Sequence, residues 1–257
     1  MIDSIVLIYG LLIGSFLNVL IYRLPKNISL INPKRSFCPH CNHQISWKEN
    51  IPLLSFILQQ GKCLHCKTSI SKNYFIVELL SSILTWFVYL KFGLGSDFFV
   101  AIILIYLLII LSFIDFEYKA VPDYLLVLLL LNSIFIPNFS FLSALLFAGA
   151  FALLNFIITF YIQNVKAKLT NNTKLKEQVA LGEGDIPIIT IIGGILGIKL
   201  GIIAIFLSAI FAIFPALYGT IAKKEIETPF IPYLSLGFII VFFGDDLIIS
   251  IVREFGI

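Results

Sequence analysis

Two stretches of this sequence, residues 4–22 and 98–114, contain no charged side chain. A helix needs about 20 apolar residues to cross the hydrocarbon core of a bilayer, so runs of this length favour membrane-spanning helices. The whole chain agrees, with 59% hydrophobic and 13% charged residues and a mean hydropathy of +1.01, which excludes a soluble protein with a large core. Residues 1–3 include no Lys or Arg, so we expect a retained first helix rather than a signal peptide.

Apolar runs separated by charged breaks predict an all-α integral membrane protein with about eight transmembrane helices. We divide the 257 residues into a first helix (1–22), a polar loop (23–73) and a membrane catalytic domain of about seven helices (74–257). The predicted spans are residues 4–22, 74–90, 98–114, 124–136, 140–162, 186–198, 201–221 and 231–249. The fourth and sixth are short, which favours tilted or partly re-entrant helices there.

The basic residues predict the orientation, because cytoplasmic loops retain Lys and Arg. If both termini lie outside, only Lys91, Lys199 and Arg253 of the 18 basic residues are outside. The inside residues are Arg23, Lys26, Lys34, Arg35, Lys48, Lys62, Lys67, Lys72, Lys119, Lys166, Lys168, Lys174, Lys176, Lys223 and Lys224. This topology puts the end of the third span and the start of the sixth span at the same cytoplasmic face.

All four cysteines lie in the first large loop, as CPHC (Cys38, Cys41) and CLHC (Cys63, Cys66). Two CxxC pairs at this separation are typical of a four-thiolate zinc ribbon. Disulfides are the alternative, but the topology puts the loop in a reducing compartment. A site closed by four ligands leaves no position for water, so we expect a structural zinc that folds a zinc-ribbon-like cytoplasmic loop between helices 1 and 2. The neighbouring histidines, which are not needed as ligands, are expected to be exposed: His40, His43 and His65.

Carboxylates at a membrane boundary are candidates for function. Asp115 directly follows the uncharged run 98–114, and Asp185 directly precedes another apolar run within GEGD. Two carboxylates close together can share a proton, so that one acts as a general base for water and the other as an acid. The pattern therefore indicates aspartyl hydrolysis. Solvated acidic loops are the alternative.

The other polar groups in or near the apolar runs are given lesser roles. We interpret Glu78 as a helix N-terminal acid that the helix dipole stabilises, and Asn18 as a hydrogen-bond donor to a neighbouring helix. Asp245 and Asp246 fall at the outer end of the last span, opposite the other acidic cluster. Gly182 and Gly184 lack side chains, so we expect the backbone before Asp185 to permit unusual dihedrals and to let a neighbouring helix or an extended substrate approach closely.

Together these motifs resemble the type IV prepilin peptidases, bacterial membrane aspartyl proteases of the GxGD type. The resemblance covers most of the chain. It is carried by GSFLNVLIYRLP (14–25), CPHCNHQISWKENIPLLSF (38–56), GKCLHCKTSIS (61–71), VELLS (77–81), IDFEYKAVPD (114–123), GEGD (182–185) and TPFIPYLSLG (228–237).

The resemblance implies removal of a basic leader from prepilins and pseudopilins, after a glycine, at the cytoplasmic face of the bacterial inner membrane. It also implies, for many members, N-methylation of the new terminus with S-adenosylmethionine. By motif, the catalytic residues are Asp115 and Asp185, with Glu117 and Asp123 supporting. The partners expected are these precursors and the lipid bilayer, with no nucleic acid; the oligomeric state is open.

One position departs from the family pattern: Pro187 stands where many members have a lysine, two residues after the GxGD aspartate. A proline in the first turn suits the start of a helix, and the proton chemistry of the two aspartates does not need the lysine. A helix N-terminus favours the charged form of Asp185, which makes it our choice of base. Two other classes stay open: an ion- or proton-coupled transporter, which favours midplane carboxylates and repeated halves, and a non-enzymatic assembly scaffold with a zinc ribbon.

Overall fold

A computed structural model of the chain describes residues 1–33, 35–170, 175–176, 179, 181–221 and 228–254. Within these residues every regular element is a helix, and the only β-pairing consists of two isolated bridges. In chain order the helices are α1 (Ile2–Arg23), a 3-10 turn (Trp47–Asn50), α2 (Leu54–Leu58), α3 (Lys72–Phe92), α4 (Ser96–Tyr118), α5 (Asp123–Ser133), α6 (Phe141–Phe160), a π-helical turn (Tyr161–Lys166), α7 (Ala167–Leu169), α8 (Asp185–Ile221), α9 (Ile231–Phe243) and α10 (Asp245–Glu254). The predicted all-α class is confirmed.

The chain divides into two compact units, Met1–Pro122 and Asp123–Ile257, called unit 1 and unit 2 below. In unit 1, α1 and α3 lie against each other over most of their lengths. Gly10 and Gly14 form a GxxxG pattern at the contact, and a Cβ at Gly14 would lie 2.8 Å from the Cα of Glu78. Small residues at this spacing let two membrane helices approach closely.

Hydroxyl groups of α3 fix its register on α1. The Ser81 hydroxyl donates to the Gly10 carbonyl at 2.9 Å, and the Ser82 hydroxyl donates to the Leu7 carbonyl at 2.8 Å. At the Arg23 end, the Asn18 side-chain amide donates to the Tyr74 carbonyl at 3.0 Å. The prediction that Asn18 bonds a neighbouring helix is confirmed.

Helix α4 completes the core of unit 1 by packing on both α1 and α3. Ala101, Leu104, Ile105, Leu111 and Ile114 have no exposed surface. The Thr85 and Tyr106 hydroxyls, 2.7 Å apart, tie α3 to α4. Because α4 is enclosed almost to its end, the residue that follows Ile114 is held at a defined position.

In unit 2, α8 packs on α5, α6 and α9. The ring of Phe147 on α6 lies over two glycines of α8, because a Cβ would come within 2.5 Å of the ring at Gly193 and within 2.8 Å at Gly201. Between these contacts the backbone breaks at Gly197, whose φ of 71° lies in the left-handed region that glycine tolerates best. The break falls where the sequence predicts that one span ends and the next begins.

Five helices are long and apolar enough to cross a membrane: Ile2–Arg23, Lys72–Phe92, Ser96–Tyr118, Phe141–Leu169 and Asp185–Gly219. The apolar helices α5 and α9 are shorter. The eight predicted spans differ from this set in three ways: α8 contains two of them, the fourth corresponds to the 11-residue helix α5, and the last one is interrupted at Gly244, between α9 and α10. Four of the basic residues used for the orientation lie outside the described residues: Lys34, Lys174, Lys223 and Lys224.

Candidate functional site

The two CxxC pairs form two loops of the same shape. In the first, the Cys38 N–H donates to the His43 carbonyl and the Asn42 N–H donates to the Cys38 carbonyl. In the second, the Cys63 N–H donates to the Thr68 carbonyl and the Lys67 N–H donates to the Cys63 carbonyl. Asn42 and Lys67 both have φ near 60°, and an isolated β-bridge closes each loop, Phe37 with Gln44 and Lys62 with Ser69. The repeated turn directs two sulfur atoms from each loop toward one point.

The four sulfur atoms meet the geometry of a metal centre. The Sγ atoms of Cys38, Cys41, Cys63 and Cys66 all lie within 4.8 Å of one another, and Cys38 Sγ is 3.8 Å from Cys66 Sγ. A tetrahedral zinc site with bonds of about 2.3 Å has sulfur–sulfur edges of about 3.8 Å. The four cysteines could therefore hold a metal ion through sulfur ligands.

The surroundings of this cluster act differently on its thiols. Hydrogen bonds with the Thr68 side chain and with its backbone N–H lower the pKa of Cys66 to about 6. Despite a backbone hydrogen bond at His43, burial and the neighbouring cysteines raise the pKa of Cys41 to about 11. Thiolates, not thiols, are metal ligands. The rings of His43 and His65 stack at 4.7 Å and both side chains are exposed. The prediction that the histidines are exposed is therefore confirmed for these two, as it is for His40.

Asp115 lies in the last turn of α4 and is 8% exposed. Its backbone carbonyl accepts the Lys119 N–H at 2.9 Å, and Lys119 ends the helix in the left-handed conformation. Glu117, two residues on, is exposed and accepts a hydrogen bond of 3.0 Å from the Asn73 side chain at the start of α3. The sequence therefore places a buried and an exposed carboxylate on the same helix end.

Asp185 is the first residue of α8 and is 6% exposed. It forms a closed turn with Gly182: the Gly182 N–H donates to Asp185 Oδ2 at 3.0 Å, and the Asp185 N–H donates to the Gly182 carbonyl at 3.1 Å. Nearby, the Leu181 N–H donates to the side-chain oxygen of Asn155 on α6 at 3.0 Å. These bonds hold the carboxylate against the backbone of its own motif.

The absence of a side chain at Gly182 leaves room for the Asp185 carboxylate in this turn. Its φ is not in the left-handed region, so the expectation of unusual dihedrals is wrong at this residue. A Cβ there would lie 3.2 Å from Asp185 Oδ2, which is tighter than ordinary contact. A side chain at this position would therefore require the Asp185 carboxylate to move by a few tenths of an ångström. Glu183 is exposed, and Gly184 is half-buried.

The predicted site residues fall in both units. Asp115 and Glu117 belong to unit 1, whereas Asp123, exposed at the start of α5, belongs to unit 2 together with Asp185. Each is described within its own unit. The catalytic pairing of Asp115 with Asp185 stays a prediction, as do the supporting roles.

Glu78 is the polar residue that sequence reasoning underestimated. It is 9% exposed in α3, and its Oε2 atom accepts the Leu53 N–H at 2.8 Å. Glu78 therefore attaches the cysteine loop to α3. The sequence predicted for it only the role of an acid at a helix N-terminus. Its position six residues inside α3 was the available signal.

A cavity of about 380 Å³ lies within unit 1, between the cysteine loop and the adjoining ends of α1, α3 and α4. Aromatic side chains line it, including Tyr22, Phe37, Phe56 and Tyr74. Charged groups of both signs line it as well: Arg23, Lys26, Glu49, Glu78 and Glu117. A concave apolar site with a few charged groups has the properties of a small-molecule site.

Comparison with known proteins divides the chain in two. Residues 8–92 match the family described as the bacterial peptidase A24 N-terminal domain. Residues 102–217 match the type IV leader peptidase family. The first match contains the cysteine cluster, and the second contains Asp115 and Asp185.

Similar curated proteins align along nearly the whole chain. A protein of Vibrio cholerae is 36% identical over 249 residues, which are 92% of this chain and 94% of that protein. A protein of Bacillus subtilis is 33% identical over 255 residues, 96% of each chain. A third, from Pseudomonas aeruginosa, is 30% identical over 274 residues, 94% of this chain and 90% of that protein. All three are named prepilin leader peptidase/N-methyltransferase. No solved structure matches the chain.

Proposed function

This chain belongs to the type IV leader peptidase family, and from that premise we propose that it is a membrane aspartyl endopeptidase that removes the leader from prepilins and pseudopilins. Asp115 and Asp185 are the proposed catalytic residues. One observation carries this assignment: among the described residues, only three carboxylates are buried, namely Asp115, Asp185 and Glu78. Glu78 binds the loop through Leu53, whereas Asp115 and Asp185 lie in IDFEYKAVPD and GEGD, two of the motifs that carry the resemblance.

In the proposed reaction, one carboxylate takes a proton from a water molecule as the water oxygen attacks the scissile carbonyl. The other carboxyl, protonated at the start, stabilises the oxygen of the tetrahedral intermediate and then passes its proton to the leaving amine. Asp185 starts a helix and Asp115 ends one, so the helix dipoles favour Asp185 as the initial base. Glu117, Asp123, Gly182 and Gly184 are assigned supporting positions.

The proposed topology places this reaction at the cytoplasmic face of the bacterial inner membrane, with both termini outside. A basic leader stays in the cytoplasm by the same charge rule that orients this chain, while the apolar segment that follows it enters the bilayer. The junction between the leader and the apolar segment then lies at the membrane level proposed for Asp115 and Asp185, each of which stands at the end of a helix. Exposed Glu117 and Asp123 offer the leader opposite charge.

The metal is assigned a structural role. Four cysteines complete a tetrahedral site and leave no open coordination position for water. The expected ion, zinc, closes the two cysteine loops on each other and shapes the wall of the cavity, which Cys38 and Cys63 line.

The cavity supports a second activity, N-methylation of the newly exposed amine. When bound, S-adenosylmethionine supplies a methyl group on a sulfonium. The residues present fit such a ligand: Glu49 and Glu117 suit its positive groups, Lys26 suits its carboxylate, and the rings of Tyr22 and Phe37 suit adenine. The sequence contains no glycine-rich Rossmann motif, so the proposal of this second activity rests on the family resemblance.

Incubation of the purified chain with a pilin precursor tests the peptidase. Mass spectrometry of the product N-terminus reports cleavage after a glycine and methylation separately. Intact precursor after incubation with folded enzyme would reject the peptidase and favour the scaffold. Ion flux through reconstituted vesicles without cleavage would favour the transporter.

Direct binding tests the methyl-donor site without any turnover. Phe37→Leu is expected to weaken binding of S-adenosylmethionine about fivefold, since an aromatic contact contributes about 1 kcal/mol. Phe141→Leu, an exposed phenylalanine of unit 2, is the matched control and should leave binding unchanged. Equal affinities of the two variants would reject the cavity as the site.

A further inference from the structure

Residues 51–58 of the cysteine loop, IPLLSFIL, form an uncharged segment inside an otherwise polar loop. Glu49 precedes the segment closely, and Lys62 is the first charged residue after it. We infer that this segment enters the lipid bilayer beside α1 and returns to the polar side, so that the loop carries a re-entrant membrane element of its own.

The first argument is the depth at which the segment meets α1. This helix has 22 residues, about 33 Å at 1.5 Å per residue, and so it matches the roughly 30 Å hydrocarbon core of a membrane. Asn50 and Pro52 share a small cavity with Leu12 and Phe16 of α1. Phe16 lies about 10 Å along the axis from the Arg23 end, and Leu12 about 16 Å. The chain at Pro52 therefore lies below the end of the helix, at hydrocarbon level.

Helix α3 places the segment at the same level independently. The Leu53 N–H donates to the carboxylate of Glu78 at 2.8 Å. Glu78 lies six residues, or about 9 Å, from the end of α3 at Lys72. The contacts with α1 and with α3 therefore both place the segment at least about two helical turns below the helix ends.

The outward side chains suit lipid. Ile57 is 60% exposed and Leu58 73% exposed, and Ile51 and Leu54 are exposed as well. Asn50 and Pro52, at the start of the segment, adjoin Leu12 and Phe16 of α1, which are exposed as well and which a membrane helix presents to acyl chains. Trp47, exposed just before the segment, suits the headgroup level where tryptophan is enriched.

The backbone of the segment also meets the requirement of a membrane interior, where unsatisfied polar groups are costly. The N–H groups of Leu54, Ser55, Ile57 and Gln59 all donate to carbonyls within residues 51–55. The N–H of Leu53, where φ is 58°, donates to the carboxylate of Glu78. A buried carboxylate on a membrane helix thus has a specific task at that depth.

The inner side of the segment faces the protein. Ser55 and Phe56 line the cavity described above, and the ring of Phe56 packs on Phe75 of α3 at 5.5 Å. One short element therefore separates the lipid from a charged cavity. The inference holds whatever ligand that cavity binds.

Tryptophan quenching by lipid tests the insertion in the full-length chain. With Trp47→Phe and Trp86→Phe as background, Ile57→Trp or Leu58→Trp introduces one fluorophore at an exposed position. The protein is reconstituted in phosphatidylcholine vesicles with and without bromine atoms on the acyl chains. Phe16→Trp, on the lipid face of α1, is the positive control. Leu64→Trp, exposed between Cys63 and Cys66, is the matched control in the polar part of the loop.

We expect brominated lipid to quench Ile57→Trp and Leu58→Trp to about the extent seen for Phe16→Trp, and about threefold more than Leu64→Trp, as insertion by 5–10 Å implies. Quenching no greater than that of Leu64→Trp would overturn the inference. A blue-shifted emission without quenching would also overturn it, because the segment would then be covered by protein, such as a second copy of the chain.

Discussion

In unit 1 the hydroxyls of Ser81 and Ser82 donate to backbone carbonyls of α1, whereas in unit 2 the ring of Phe147 fills the space above Gly193 and Gly201 of α8. Both arrangements bring helices close through glycine. In unit 1 side-chain hydroxyls join the two helices, whereas in unit 2 a backbone bond does so, because the Ser140 N–H at the start of α6 donates to the Gly194 carbonyl of α8 at 2.8 Å. The side-chain hydrogen bonds of unit 1 fix the register of α3 on α1. The ring of Phe147 over two glycines fixes the distance between α6 and α8.

The difference in helix contacts corresponds to a difference in how each unit holds its candidate site residues. The register of α1 on α3 places Glu78 and Asn18 beside the two ends of a long loop, and that loop carries the metal site. The contact in unit 2 lies deep in α8, away from Asp185 at its first residue, whose carboxylate is held by its own turn with Gly182. Unit 1 thus depends on bonds between helices, and the motif of unit 2 depends on bonds within the motif.

The largest effect is expected at the two aspartates, one from each unit. Asp185→Asn and Asp115→Asn keep the size of the side chain but remove its proton chemistry, so leader removal should fall by about 10²–10⁴-fold in either variant. Cleavage assays on the folded protein measure this loss. Glu183→Gln, exposed in the same motif, is the control and should retain activity. Substantial cleavage by Asp185→Asn would reject the catalytic assignment.

Cys63→Ser tests the polar loop of unit 1. Loss of one thiolate from the tetrahedral site should remove the metal, so the zinc content of the purified protein should fall from about one ion per chain to near zero. His65→Ala, exposed two residues away, should keep the metal. A normal zinc content in Cys63→Ser would refute its assignment as a ligand.

In unit 2, Phe147→Ala should lower the free energy of unfolding by about 3 kcal/mol, because it leaves a cavity over two glycines that cannot fill it. Unfolding by denaturant in detergent micelles measures the change. Phe141→Ala, which is exposed, should cost much less. Equal losses in the two variants would show that the glycine contact does not hold α6 on α8.

Ser81→Ala in unit 1 should cost less, about 0.6 kcal/mol, as is typical of hydrogen bonds between membrane helices. The same unfolding assay applies, with the exposed Ser96→Ala as control. A loss as large as that of Phe147→Ala would remove the distinction between the two units.

The smallest effect concerns pH. Hydrogen bonds from the backbone N–H and the side chain of Ser46 lower the pKa of Glu49, so its folded-state value lies below the unfolded one. This contribution to stability is present above the unfolded pKa of about 4.3 and is lost as the pH falls through the folded value. Glu49→Gln should flatten the stability profile in that range. An unchanged profile would show that this turn does not contribute.

The cysteine site was predictable in full because its geometry is local: two CxxC turns contain their own hydrogen bonds. The break in α8 followed from Gly197 at the boundary of two apolar runs. The sequence located Asp115 and Asp185 at helix ends but not the bond from Gly182, since a hydrogen bond to a carboxylate leaves no periodic pattern. Glu78 and residues 51–58 were missed for a related reason. Their roles depend on the hydrogen bond between Leu53 and Glu78, which are 25 residues apart in the sequence. A hydropathy pattern does not reveal such a contact.

The contacts of α1 have a practical consequence for expression. An N-terminal apolar helix resembles an interchangeable membrane anchor, and replacing it with a foreign signal sequence is a common way to improve yield. Here such a replacement would remove Gly10, Gly14 and Asn18 together with Asp3, which accepts a hydrogen bond from the indole of Trp86 at 3.0 Å. Affinity tags should therefore extend residues 1–22 and leave them intact.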